Sequence, residues 1–203
     1  MRYFVLALTL VTVATTTAQE PARSTGPLRP LALPALEGTR SCPITIGTRA
    51  VPPSPRIFGG PFWWGTGPAY VGLLWTSTDQ ARFDLARIPI ENGMRRAKTA
   101  FVADPSYTGV IEIRGRSLSG DRRPLTFGQG GTPEGELMRL MAPHVMLDAG
   151  FVNGGGPGRP APPVAAGGEW SFWPASTWIP GPGCYGIQLD TVQRSSVIVF
   201  EAL

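Results

Sequence analysis

The sequence predicts an all-β chain, an antiparallel β-sandwich with long glycine- and proline-rich loops and little helix. Three observations predict it. From Cys42 onward, short apolar runs alternate with turn residues, the punctuation of a sandwich rather than of a helical bundle. Several of those runs alternate apolar and polar residues with a period of two, as half-buried strands do. The surplus among the 26 glycines and 22 prolines is concentrated in the segment before Cys42 and in 153–168 (NGGGPGRPAPPVAAGG), so they read as punctuation rather than as low complexity.

Taken in chain order, Met1, Arg2 and Tyr3 precede an apolar run over 4–14 and small residues at Thr15, Thr16, Thr17 and Ala18. This is the pattern of a secretory signal, with cleavage expected after Ala18. The run is about half of the roughly 20 residues that span a bilayer, so no integral membrane span is expected after cleavage. No cysteine ends the apolar run, which argues against a lipid anchor there. Residues 19–40 read as a poorly ordered linker, because Pro21, Pro27, Pro30 and Pro34 disfavour helix and withhold donors from a ladder.

The domain proper is placed at 41–203. Candidate strands are 44–46, 70–76, 82–86, 98–103, 110–115, 124–127, 145–149, 169–173, 184–189 and 196–201. In 110–114, Ile111 and Ile113 share one face, and Glu112 and Arg114 share the other, which is read as wet. In 184–190, Tyr185, Ile187 and Leu189 oppose Gly186, Gln188 and Asp190. The run 197–200 is apolar throughout, as expected of a strand covered on both sides, and 190–195 is short enough to close a hairpin onto it. Residues 133–141 (PEGELMRLM) are expected to form one or two helical turns between Pro133 and Pro143.

Two cysteines in an exported chain are most economically one disulfide, Cys42 to Cys184. Cys184 has the opposite parity to Tyr185, so the bond is expected at the rim or outer face, as a clasp on the sheet edge. A nucleophilic cysteine would need a free thiol beside a base, and the only histidine is His144.

The stretch 179–200 (IPGPGCYGIQLDTVQRSSVIVF) resembles a pattern of uncharacterised exported bacterial proteins with immunoglobulin-like sandwiches. In these, Pro-Gly-Cys-aromatic opens the penultimate strand and an Ile-Val-Phe strand ends the domain. Cys42 with Pro43, the tract 63–75 (WWGTGPAYVGLLW), and 110–116 (VIEIRGR) before a charged turn are similar in the same order. The resemblance implies an immunoglobulin-like β-sandwich and a secreted or periplasmic location. It implies no activity.

Composition excludes more than it assigns. Removing Arg2 with the signal leaves 17 basic and 14 acidic side chains, too mild and scattered a surplus for a nucleic-acid surface. One histidine and two paired cysteines make no closed zinc site, and no spaced calcium loop is present, so no metal or other cofactor is expected. The run 154–156 lacks the lysine and hydroxyl of a phosphate loop. Asp148 and Glu169 flank the 153–168 loop and are the one carboxylate pair entertained for hydrolysis.

The remaining signal is aromatic: Phe62, Trp63 and Trp64 between Gly60 and Gly65, and Trp170, Phe172, Trp173 and Trp178 before Cys184. Phe62, Trp63, Trp64 and Trp173 are the candidate binding residues, because exposed aromatics stack on sugars or anchor protein partners. The reading is a non-catalytic exported module that binds or associates structurally, its partner an envelope protein or a polysaccharide. A carbohydrate-binding module is the first alternative, and an enzyme with an unrecognised carboxylate site the second.

Overall fold

A computed structural model of the chain describes residues 27–36, 41–49, 62–73, 78–129, 131–142 and 170–203. The signal segment 1–18, the strand expected at 145–149, His144, Asp148, Glu169 and the 153–168 loop lie outside the described residues.

Period-two patterning becomes two five-stranded sheets. In the first, β1 (Ala69–Leu73), β4 (Met94–Ala103), β8 (Ser171–Ile179) and β6 (Thr126–Gly128) lie in that order, and β3 (Ile90–Glu91) also pairs with β4. In the second the order is β2 (Arg82–Phe83), β10 (Ser195–Ala202), β9 (Gly183–Thr191), β5 (Gly109–Ser117) and β7 (Leu137–Ala142). All pairs are antiparallel except β10 with β2. The fold is an all-β sandwich.

Its core lies between the sheets. Ala97, Phe101 and Ala103 of β4 and Trp173, Ala175 and Ile179 of β8 face Ile111 and Ile113 of β5, Tyr185, Ile187 and Leu189 of β9, and Ile198 and Phe200 of β10. The larger aliphatic and aromatic side chains among these each contribute about 1.5–3 kcal/mol when fully buried. The faces read from 110–114 and 184–190 are therefore the faces observed. Thr191 closes the expected hairpin between β9 and β10, its N–H donating to the Arg194 carbonyl at 2.9 Å.

Several boundaries differ from expectation, each for a local reason. Residues 133–141 hold no helical turn; from Leu137 they are strand, and Met138, Leu140 and Ala142 point inward with Arg139 and Met141 exposed. Pairing with β5 over six positions overrides the helix preference of Glu, Leu and Met. The strand expected at 82–86 stops at Phe83, because Asp84 turns its carboxylate onto the Ala86 N–H and caps a 3-10 turn at Leu85–Arg87. β4 begins four residues earlier than expected, led by a hairpin from β3 through Asn92 and Gly93, both at positive φ (52° and 77°). β8 runs on through Pro174, tolerated there because β6 reaches only Ser176, Thr177 and Trp178. Residues 44–46 form no strand, only an isolated bridge at Ile46, while Thr45 donates to the Val199 carbonyl.

The disulfide is formed, with Cα atoms 5.6 Å apart and the cysteines 142 positions apart in sequence. Parity places it correctly on the outer face. The edge location is corrected: β9 is the central strand of its sheet, and Cys184 is buried there with Leu33, Leu118 and Val199.

Candidate functional site

The outer face of the second sheet carries the polar half of each alternating strand. Across four strands the register sets Arg139 (β7) beside Glu112 (β5), Glu112 beside Asp190 (β9), and Asp190 beside Ser195 (β10). One step along, Arg114 faces Gln188. The expectation of a wet face is overturned here, since Glu112, Gln188 and Asp190 are all at least 99% buried.

Two carboxylates at directly opposed positions repel each other unless each finds a cation. Arg139 Nε donates to Glu112 Oε1 at 2.8 Å, and Arg114 Nη2 to Asp190 Oδ2 at 2.7 Å. Asp190 also accepts from the Ser195 hydroxyl at 2.6 Å and from Gln188 Nε2 at 2.8 and 2.9 Å. These bonds are all within the sheet.

What covers the row is part of the expected linker. Residues 27–36 form a strap across this face, tied through their main chain. The Leu28 N–H donates to Glu112 Oε2 at 2.6 Å and the Ala32 N–H to Gln188 Oε1 at 2.7 Å. The Arg29 carbonyl accepts from Arg114 Nη2, and the Pro30 carbonyl from Gln188 Nε2 at 3.0 Å. The Leu36 N–H reaches the Leu118 carbonyl at 3.1 Å. Leu33 then fills a pocket made by Leu118, Cys184 and Val199, with Leu31, Leu36 and Cys42 around it. The pocket floor is Gly186, whose absent Cβ would lie 3.0 Å from the ends of both Leu33 and Leu118.

The outer face of the first sheet is aromatic instead. Trp63 packs on Ala100 and Val102, with Tyr70, Trp170 and Phe172 half-buried around it. The Trp63 ring rests where a Cβ on Gly72 would be, only 2.8 Å away. Tyr70 and Trp170 meet with ring centroids 6.0 Å apart.

The four candidate binding residues are divided by this architecture, and none of them is exposed. Trp63 and Trp64 sit in isolated bridges to Thr48 and Val71, so successive side chains leave on opposite sides. Trp64 enters the inter-sheet core with Phe62, and its indole N–H donates to the Thr45 carbonyl at 3.1 Å. Trp173 also faces the core. All four, Phe62, Trp63, Trp64 and Trp173, are buried. The residues that sequence reading left out are Tyr70 of the aromatic face and the row of Glu112, Arg114, Gln188 and Asp190 with its cover.

No family model, curated protein or solved structure matches this chain. Among the described residues, no group of three or more His, Cys, Asp or Glu side chains comes together to hold a metal ion. No helix among them is long and apolar enough to cross a membrane.

Proposed function

We propose that this chain is an exported, non-catalytic module that acts by binding or structural association in the bacterial envelope or outside the cell, on an immunoglobulin-like sandwich like that of the proteins it resembles. One observation carries the binding half of the reading. The buried charged groups on the second sheet bond one another and the main chain of an extended segment, which is recognition chemistry rather than a free acid and base. The formed Cys42–Cys184 bond supports the export half, because such bonds persist in oxidising compartments.

The test is expression of the full chain in a Gram-negative host, followed by fractionation and alkylation of free thiols. Recovery outside the cytoplasm with both cysteines protected is the expected result. A cytoplasmic chain with reactive thiols overturns the reading.

Carbohydrate binding is a second reading, favoured by the half-buried Tyr70, Trp170 and Phe172 on one outer face. Retention on insoluble polysaccharides that falls in a Tyr70→Ala, Trp170→Ala double variant supports it. Absent or equal retention removes it.

A further inference from the structure

We propose that the outer face of the second sheet is a peptide-binding groove, and that its partner is an extended, proline-bearing segment of another polypeptide that takes the place of the strap 27–36. The inference rests on the binding reading above and names its partner class.

Four features of the groove carry it. First, the sheet's Glu112, Arg114 and Gln188 side chains meet the strap at main-chain atoms, the Leu28 and Ala32 N–H groups and the Arg29 and Pro30 carbonyls. Such contacts read an extended backbone and tolerate many side chains. Second, side-chain readout comes from one apolar pocket, where Leu33 sits on Gly186 between Leu118, Cys184 and Val199, and from an exposed bond of Arg29 Nη2 to the Val192 carbonyl at 3.1 Å.

Third, the groove does not need its occupant in order to form. The bonds of Asp190 to Arg114, Gln188 and Ser195, and of Glu112 to Arg139, all lie within the sheet, and the strap only completes them. Fourth, the occupant leaves the groove partly unsatisfied. Arg114 Nε is buried with no hydrogen-bond partner, so a segment with an acceptor at that point binds with one more bond than the strap makes.

Proline suits such a ligand. Pro27, Pro30 and Pro34 fix their own φ angles and withhold only N–H groups the groove does not use. A segment already extended loses less entropy on docking. A free peptide must outcompete a tethered copy, whose effective concentration is high, so the strap weakens binding in trans until it is unseated.

The experiment uses the full chain after signal removal and a fluorescent synthetic peptide of residues 27–36 (PLRPLALPAL). Leu33→Asp in the protein unseats the strap and leaves the groove intact. The peptide is then expected to bind this variant at least about tenfold more tightly than wild type, measured by anisotropy. A peptide carrying Leu33→Asp, or a protein carrying Leu33→Asp with Gly186→Val, is expected to bind at least about tenfold more weakly than the matched pair. Equal binding of the peptide to wild type and to the Leu33→Asp protein overturns the groove, as does equal binding of both peptides.

A second measurement needs no variant. In wild type, the Leu28 and Ala32 amides are expected to exchange with solvent through local opening, faster than the amides of β9. Exchange of both sets only through global unfolding overturns the proposal. Either failure, in a chain that is still exported and oxidised, removes the groove and leaves the module reading standing.

Discussion

On the outer face of the first sheet, Trp63 is laid flat over a glycine among half-exposed aromatic rings. On the outer face of the second, a row of buried charges is sealed beneath a proline-bearing strap. Both faces began as the outward half of alternating strands. Apolar rings bury area without regard to direction, so the first face needs no partner with defined hydrogen bonds. Buried carboxylates cost several kcal/mol each unless their lone pairs are met, so the second face, already paired within the sheet, favours a cover of defined geometry. The first face is adaptable and the second is selective.

The largest expected effect comes from the clasp that lies on the second face. Replacing both cysteines by serine releases a closure of 142 residues, which the chain-entropy model values at about 5 kcal/mol as an upper figure. Cys184 also forms part of the Leu33 pocket, so the strap should loosen with it. Urea unfolding of the oxidised and Cys42→Ser, Cys184→Ser chains measures the loss. Coincident midpoints would show that the bridge contributes nothing to holding the covered face.

Next in size is a pair of tryptophans that contrasts core with outer face. Trp64→Ala empties a fully buried site and leaves the Thr45 carbonyl only the Ala81 N–H as donor, at an expected cost of about 3–5 kcal/mol. Trp170→Ala removes a half-exposed ring and should cost about 1 kcal/mol or less. Equal costs in denaturant titrations would place the aromatic face within the cooperative core.

Those same residues mark how far the sequence was legible. Alternation in β5 and β9 assigned Glu112, Arg114, Gln188 and Asp190 to the outward side correctly, because side-chain parity is a local property of extended backbone. It did not reveal that the outward side is covered. The cover bonds to residues 84 and 156 positions away, and no local pattern encodes such a distance. A leucine spacing at 28, 31, 33 and 36 among the prolines was the available hint of an apolar side to the strap.

The tryptophans are a different case. Glycine near Trp63 and Trp64 suggested a free loop, whereas Gly72 and Gly47 are positions where those rings approach the backbone too closely for a Cβ. In 133–141 the residues fit both a 3.6 and a 2.0 period, and only the unpaired edge of β5 decided between them.

A smaller effect sharpens the contrast by prying at the strap. Gly186→Val pushes carbon into the ends of Leu33 and Leu118, 3.0 Å from the first added atom, at about 1–3 kcal/mol. The Leu28 and Ala32 amides should lose hydrogen-exchange protection while those of β4 and β8 keep theirs. Uniform loss across both sheets would mean that the strap and the sandwich unfold as one unit.

The smallest expected effect is a pH dependence that comes from the interior shared by both faces. Tyr185 stacks on Phe200 in the core and donates its hydroxyl to the Gly181 carbonyl at 2.7 Å, and Tyr107 donates to the Val110 carbonyl at 2.6 Å. Burial, the largest influence on both, pushes the two phenols above their ordinary value of 10.0. In the unfolded chain the phenols ionise first, so above that value the unfolded state binds fewer protons than the folded one. Stability is therefore full below about pH 10 and is lost as pH rises through the folded values. Urea titrations at pH 8, 10 and 11 should show a midpoint that falls only at the last step. Tyr185→Phe should flatten part of that fall, because it keeps the ring on Phe200 and removes the ionisable oxygen. An unchanged profile in Tyr185→Phe would assign the alkaline loss to Tyr107 at the turn between β4 and β5, away from the strand that bears the strap.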